Sequence, residues 1–178
     1  MELSQEHKIL QQTVQCMGKS VLVNCDRYYT REHLWIKITP DGDLRIGITD
    51  YAQKFLKKKA VLVEFVSNPL IGHEVGEGDA LGVVYGGMYA DPQTLECECM
   101  AFDLMSPVTG RIIEINQNIL ENPELISTEC YDAGWIATVK PLDDWKYSGN
   151  LIRPEKYITL LKKIGKSPLH VFWTGYHF

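Results

Sequence analysis

The sequence lacks the features that mark several classes of protein. It has no apolar run near the ~20 residues that a membrane-spanning helix needs, and its polar start, MELSQEHK, does not resemble a secretory signal peptide. Basic residues do not predominate, since 18 Lys and Arg face 23 Asp and Glu for a net charge of −5. A nucleic-acid-binding surface must neutralise phosphates. We therefore expect a cytoplasmic protein with no nucleic acid and no membrane among its partners.

Cysteine is present, but not in the pattern of a disulfide framework. The five cysteines are Cys16, Cys25, Cys97, Cys99 and Cys130, and they contain no CxxC pair. An odd number of cysteines without a signal peptide indicates free thiols in a reducing compartment. A metal site built from Cys97, Cys99, Cys130 and a histidine is the weaker alternative, because this spacing fits no common zinc pattern. We predict no metal.

Short alternating segments dominate the middle of the 178-residue chain. Residues 34–38 and 43–48 alternate around Pro40-Asp41-Gly42, which predicts a hairpin. Further strands are predicted at 60–66, 80–85, 110–116 and 134–140. Residues 86–94, with two glycines and a proline, indicate an exposed loop. About seven short strands joined by turns predict a small all-β sandwich or barrel.

Short helices are predicted between the strands and longer ones at both ends. Thr49 or Asp50 caps a short helix over 49–58. Residues 118–126 indicate a helical turn that stops around Pro123. Near the N-terminus, residues 3–16 show helical spacing of Leu3, His7, Leu10 and Val14 before Gly18.

The C-terminal helix is predicted over 154–166, with Pro154 in its first turn and Gly165 at its end. An aromatic stretch follows, in which Phe172, Trp173, Tyr176 and Phe178 favour a tail packed on the body or, if exposed, a partner surface. We expect three parts: an N-terminal helical extension, a β domain, and a C-terminal helix with its tail. Their ranges are 1–26, 27–145 and 146–178.

A series of short motifs runs through the predicted β domain. They are Y-Y-T-R-E-H-L-W at 28–35, G-I-T-D-Y-A-Q at 47–53, S-P-V-T-G at 106–110, N-P-E-L-I at 122–126 and G-W-I at 134–136. In kind and order they resemble the motifs of the H protein of the glycine cleavage system. The resemblance implies a mainly β, lipoyl-domain-like barrel-sandwich hybrid. It also implies a carrier, not an enzyme, with its cofactor lysine displayed at the tip of an exposed hairpin.

The lysine that such a carrier needs is absent, since no lysine occurs from residue 60 to 139. The family pattern around it, G-V-V-E-S-x-K-A-x-x-D-L-x-S-P, is interrupted here by an insertion at 85–95. Counting back from Ser106 places the lysine column at Cys99, and counting forward from Gly82 places it at Met88. Neither side chain can form an amide with lipoate. We predict no lipoyl cofactor and loss of the carrier role.

Cys99 is one of the two positions assigned to the lysine column, and Cys97 lies two residues before it. Side chains two apart on a strand point to one face, but their Cα atoms are roughly 6.8 Å apart, at the outer limit for a disulfide. A bridge would need a bulge or turn at Glu98, and the charges of Glu96 and Glu98 oppose a thiolate. We favour two small buried residues. The alternatives are a redox dithiol that replaces lipoamide, or another group anchored on Cys99.

Two basic or titratable features have simple interpretations. Lys57-Lys58-Lys59 stand where the family usually has Gly-Asp, so they form a solvated turn or a partner surface of changed sign. His33 lies beside Trp35 in the first motif and is interpreted as part of the fold's hydrogen bonding rather than a ligand.

The function we predict is a non-lipoylated H-protein-like module that binds or regulates a protein partner.

Overall fold

The computed structural model describes residues 11–56, 59–67, 71–87, 89–90, 97–142, 144–166 and 175–176, with side chains for all of these except 89–90, 97–99, 147, 166 and 175–176. The strands are β1 (Gln11–Cys16), β2 (Lys19–Asn24), β3 (Tyr28–Tyr29), β4 (Leu34–Ile38), β5 (Leu44–Ile48), β6 (Ala60–Phe65), β7 (Glu74–Val75), β8 (Ala80–Gly86), β9 (Tyr89–Ala90), β10 (Cys97–Met105), β11 (Gly110–Ile115), β12 (Ala137–Pro141) and β13 (Gly175–Tyr176). The helices are α1 (Asp50–Phe55), α2 (Gln117–Glu121), α3 (Leu125–Thr128) and α4 (Pro154–Lys166), with a 3-10 turn at Trp145–Tyr147.

Two sheets enclose the main core. One has the order β3-β4-β5-β12-β11-β7, and the other has the order β13-β10-β8-β6 with β9 paired to β10. Both contribute to one cluster of buried side chains, which includes Ile46 and Val139 from the first sheet and Val63, Val84 and Leu104 from the second. Burial of such side chains contributes about 25 cal/mol per Å² of apolar surface. The predicted mainly β architecture is confirmed.

The first predicted hairpin and its helix form as expected. β4 pairs antiparallel with β5, and the Pro40-Asp41-Gly42 turn joins them, with Gly42 at φ 86°. The backbone N–H of Ala52 donates to Oγ1 of Thr49, which caps α1. The predicted turn around Pro123 is likewise confirmed, since α2 ends and α3 begins on either side of that residue.

The helix predicted over 3–16 is wrong where the structure describes it, because residues 11–16 form a strand. β1 pairs with β2 in register, with Cys16 opposite Lys19. Between them Met17 and Gly18 have φ values of 49° and 75°, which is the two-residue turn with both φ positive that suits a hairpin. Gly18 therefore turns a hairpin and does not end a helix. The predicted helical residues 3–10 lie outside the described part of the chain.

The hairpin and α4 share a second core. Val14 and Val21 from the hairpin pack with Tyr157 and Leu161 from α4 and with Trp35 from β4. α4 occupies the range predicted for it, and its amphipathic face is covered by the hairpin. The β1–β2 hairpin and α4 are thereby both packed on the β body. Within the described ranges, no helix is long and apolar enough to cross a membrane.

Candidate functional site

Of the two candidates for the lysine column, Met88 follows β8 in the sequence and Cys99 belongs to β10. The two strands pair antiparallel over five residue pairs, from Ala101 opposite Tyr85 to Met105 opposite Ala80. On the other side of β8, the backbone of β6 passes very close to Gly82, where an added Cβ would clash with the carbonyl oxygen of Glu64. Glycine is therefore required for the close approach of β6 and β8. This packing fixes the base of the hairpin.

Beyond Tyr85 the hairpin continues into the insertion. Ala90 lies opposite Cys97 and Tyr89 opposite Glu98. The loop predicted at 86–94 is therefore partly wrong, since backbone hydrogen bonding to β10 makes a strand of residues 89–90. Met88, one of the two candidates for the lysine column, lies outside the described residues.

Cys99, the other candidate, lies inside a continuous strand. The pairing with β9 ends at Glu98 and the pairing with β8 begins at Ala101. Cys99 itself is opposite Tyr176 of β13, which lies on the edge of β10 that faces away from β8. The resemblance implies a lysine displayed at a hairpin tip, but this position lies in an extended strand with a neighbouring strand from the C-terminus.

The remaining cysteines are free thiols, as predicted. Cys16 and Cys130 are buried and Cys25 is partly exposed. Burial raises the pKa of the Cys130 thiol to about 12 and also raises the pKa of Cys16, so both are poor nucleophiles at neutral pH. Among the described side chains, no group of three or more His, Cys, Asp or Glu is placed to hold a metal ion.

His33 takes part in a buried polar cluster, as predicted. Its Nδ1 lies 2.9 Å from the hydroxyl of Tyr157, which donates to Oγ1 of Thr49 at 3.0 Å. The ring of Tyr157 stacks on Tyr29 with centroids 4.3 Å apart. Burial lowers the pKa of His33 to about 4, so the imidazole is neutral at pH 7 and acts structurally. The sequence analysis missed Tyr157 as its partner, because the two residues are far apart in the chain.

The lysine run is described only at Lys59. Its Nζ forms an ion pair with Glu124 of the α2–α3 segment at 3.1 Å, and both side chains are exposed. Lys57 and Lys58 lie outside the described residues. An exposed pair of this kind contributes little stability. It does not distinguish a solvated turn from a partner surface, so both remain predictions.

A groove of about 590 Å³ runs beside β6 and was not predicted. Large apolar side chains on its lining are left exposed, with Val66 at 62%, Ile71 at 44% and Leu120 at 44%. Glu64, Ser67 and Gln117 add polar groups. The apolar sequence at 60–66 does not predict the groove, because a strand that is buried on both faces has the same composition.

Two sheets around one core, with the β8–β10 hairpin in the second sheet, define a mainly β, lipoyl-domain-like fold. A sequence model of the glycine cleavage H-protein family matches residues 27–164, so the match begins after the β1–β2 hairpin and includes most of α4. The chain therefore belongs to the glycine cleavage H-protein family. Proteins of this family are lipoyl carriers and not themselves enzymes.

Individual relatives agree with this assignment. The chain is 36% identical over 142 residues to a glycine cleavage system H protein of Carboxydothermus hydrogenoformans, covering 79% of this chain and 95% of that protein. It is 36% identical over 137 residues to a probable H protein of Pyrococcus horikoshii, covering 77% and 90%. The crystal structure of an H protein from Mycobacterium marinum superposes with a TM-score of 0.60 at 30% identity, covering 83% of this chain and all of that one.

Proposed function

We propose that this chain is a non-lipoylated member of its family that binds or regulates a protein partner in the cytoplasm. In this proposal the lipoyl-carrying role is lost, and neither a nucleic acid nor a membrane is a partner. The observation that carries the proposal is the place of Cys99. Counting back from Ser106 assigns Cys99 to the lysine column, and Cys99 belongs to β10, which runs without interruption from Cys97 to Met105.

The chemistry of lipoylation supports the loss of the cofactor. Lipoate is held through an amide to a lysine amine, and a thiol or thioether cannot replace that nitrogen. A swinging group must also project from a rigid body to reach several active sites. A strand residue with backbone partners nearby is less suited to this display than a residue at a hairpin tip.

The surface of the β body supports a protein partner. The groove beside β6 leaves Val66, Ile71 and Leu120 exposed, and Val61 and Leu62 on β6 are exposed at 56% and 47%. Exposed apolar side chains gathered along one groove are typical of surfaces that another protein covers. We therefore place the partner's contact at this groove.

The redox dithiol of Cys97 and Cys99 is the second candidate, and the backbone makes it the weaker one. A bridge between them requires a turn or bulge at Glu98, but the register with β9 passes through Cys97 and Glu98 without a shift. Regular strand geometry leaves the two Cα atoms roughly 6.8 Å apart.

Intact-mass measurement tests the proposal directly. The chain is expressed in a lipoylating cell supplied with lipoate, and we expect its unmodified mass. The Cys99→Lys variant places a lysine at the assigned position and tests whether that position can be lipoylated. We expect it to remain unmodified because its lysine lies in a strand. A lipoyl adduct on the wild-type chain would overturn the proposal. A reversible two-electron couple that Cys99→Ser abolishes would favour the dithiol instead.

A further inference from the structure

β6 lies at one edge of the second sheet. On one side it pairs antiparallel with β8, from Leu62 to Phe65 without a shift in register. The register shifts only before Leu62, after Ala60. Within the described residues, no strand lies on the other side of β6. Regular extended backbone is therefore present along this edge without a neighbouring strand from the described part of the chain.

The backbone groups of Val63 and Phe65 point toward this edge. The N–H of Val66 donates to the carbonyl oxygen of Leu81 on β8, and successive residues of an antiparallel strand direct their N–H and C=O groups alternately to either side. The backbone of Glu64 therefore faces β8, whereas that of Val63 and Phe65 faces away. No described residue is hydrogen-bonded to these outward groups. Such groups are a template for an incoming extended segment.

The groove of about 590 Å³ follows the same edge. β6 lines it together with Ile71, Ile115 and Leu120. Next to the outward backbone groups, the side chains of Leu62 and Val66 are 47% and 62% exposed. An extended segment that pairs with β6 would cover these apolar side chains while its backbone satisfies the free groups of the edge.

The charge of this region favours a basic segment. Residues 60–110, which include β6, β8 and β10, contain eight Asp or Glu and no Lys or Arg. Among the described residues that line the groove, Glu64 alone is charged, and it forms no ion pair with them or with the rest of the described chain. Asp103 lies in the same row of the sheet, two strands away. A basic side chain opposite Glu64 would form a favourable cross-strand pair.

We propose that the edge of β6 from Leu62 to Val66 binds an extended, basic segment of the protein partner by strand addition. This rests on the proposed function, because it specifies how the partner occupies the groove. The segment runs antiparallel to β6 and exchanges backbone hydrogen bonds with Val63 and Phe65. It places Lys or Arg opposite Glu64, between two apolar residues that lie opposite Leu62 and Val66.

A second copy of β6 does not fit this description. The sequence of β6, Ala60–Phe65, contains Glu64 and no basic residue, so two such edges offer each other only like charges. Like charges on neighbouring strands are unfavourable. The charge of the edge therefore favours a different chain over self-association.

The charge requirement is tested with two fluorescein-labelled peptides, SVIKIVS and SVIEIVS, whose binding to the full chain is measured by fluorescence anisotropy. We expect the wild type to bind the lysine peptide at least about fivefold more tightly than the glutamate peptide. Glu64→Lys should reverse this preference. The matched control is Asp41→Lys, which makes the same change of charge at an exposed residue of the β4–β5 turn and should leave the preference unchanged. Thermal unfolding checks that both variants remain folded.

The strand pairing is tested on the wild-type chain with N-methylated lysine peptides. Methylation of the two isoleucine nitrogens removes the N–H groups that would donate to Val63 and Phe65, and we expect it to weaken binding at least about tenfold. Methylation of the central lysine nitrogen is the control, because that N–H points away from β6, and it should weaken binding by less than about threefold. Bound lysine peptide should also slow amide exchange at Val63 and Phe65.

Equal binding of the lysine and glutamate peptides, or no binding of either, would overturn the inference. Equal weakening by the two methylation patterns, or amide protection that falls outside residues 62–66, would overturn strand addition at this edge. A stable dimer of the wild-type chain with protected β6 amides would show that the occupant is a second copy. None of these results alters the intact mass, so the absence of lipoylation can stand while the docking site fails, or the reverse.

Discussion

The hydroxyl of Tyr157 on α4 lies 2.9 Å from Nδ1 of His33. It also donates to Thr49, the N-cap of α1, at 3.0 Å. One hydroxyl thus joins the C-terminal helix to the turn before β4 and to the start of α1. These hydrogen bonds join three separate elements and therefore contribute to the stability of the fold.

The Tyr157→Phe variant tests this connection. We expect the free energy of unfolding to fall by about 1–2 kcal/mol, because the buried Nδ1 of His33 loses its hydrogen-bond partner while the aromatic ring stays. Urea denaturation measures the change. The matched control is Tyr51→Phe, whose hydroxyl makes a long 4.0 Å contact with Sδ of Met17 and should change stability by less than about 0.5 kcal/mol. Equal losses would contradict the role given to Tyr157.

His33 should make stability depend on pH. Burial lowers its folded pKa from 6.5 to about 4, so between these values the unfolded chain binds a proton that the folded protein does not. Stability therefore falls as the pH drops from about 6.5 to 4 and levels off below, with a total contribution on the order of 3 kcal/mol.

Urea denaturation at several pH values measures this contribution as the difference between the wild type and His33→Asn. Asparagine tolerates the φ of 64° at this position but does not titrate in this range. The variant should show a shallower decline on acidification. Parallel curves would mean that His33 is protonated equally in both states.

Asp50, at the start of α1, connects the β1–β2 hairpin to the β body through a hydrogen bond. Its buried carboxylate accepts from the backbone N–H of Leu22 at 2.7 Å and from Nζ of Lys54 at 2.6 Å. We expect Asp50→Ala to cost about 2–4 kcal/mol, since it leaves a backbone donor and a charge without this partner. Glu74→Ala, which removes an exposed ion pair with Arg111, is the control and should cost under about 1 kcal/mol.

Amide exchange locates the effect of the Asp50 substitution. The exchange of β2 amides should accelerate in Asp50→Ala but not in Glu74→Ala. Unchanged β2 protection would indicate that the hairpin is held by its apolar contacts alone.

Gly82 should not tolerate a side chain. An added Cβ would clash with the carbonyl oxygen of Glu64, so Gly82→Ala must push β6 and β8 apart. We expect a loss of about 2 kcal/mol or more, measured by thermal unfolding. Gly149→Ala, where no atom lies within 4 Å of the added Cβ, should be nearly neutral. A neutral Gly82→Ala would mean that the strands separate without cost.

Thiol labelling of the folded protein should distinguish the cysteines. Cys25, which is partly exposed, should react first, while Cys16 and Cys130 should react only after denaturation because they are buried and their pKa values are raised. Peptide mass mapping after a timed alkylation gives the order. The same experiment reports on Cys97 and Cys99, whose fast reaction would favour the dithiol candidate. Fast labelling of Cys130 would contradict the described burial.

The sequence correctly predicted the elements whose backbone conformation a few neighbouring residues are enough to specify. The Pro40-Asp41-Gly42 turn and the Thr49 cap each specify a backbone conformation within a few residues, and both form as expected. The N-terminal helix prediction was wrong at residues 11–16, where the local pattern does not exclude a strand. Pairing with β2 decided between the two, and pairing partners are not visible in a local pattern.

The sequence by itself determined the family and the central chemical fact, since the ordered motifs and the absence of lysine from residue 60 to 139 are both written in it. Only the tertiary structure decided that Cys99 lies within a strand, that β13 adjoins it, and that Tyr157 reaches His33. The reason is that motifs and missing residue types are properties of the chain, whereas strand neighbours and buried hydrogen bonds join residues far apart in it. The packing of the whole fold brings such residues together.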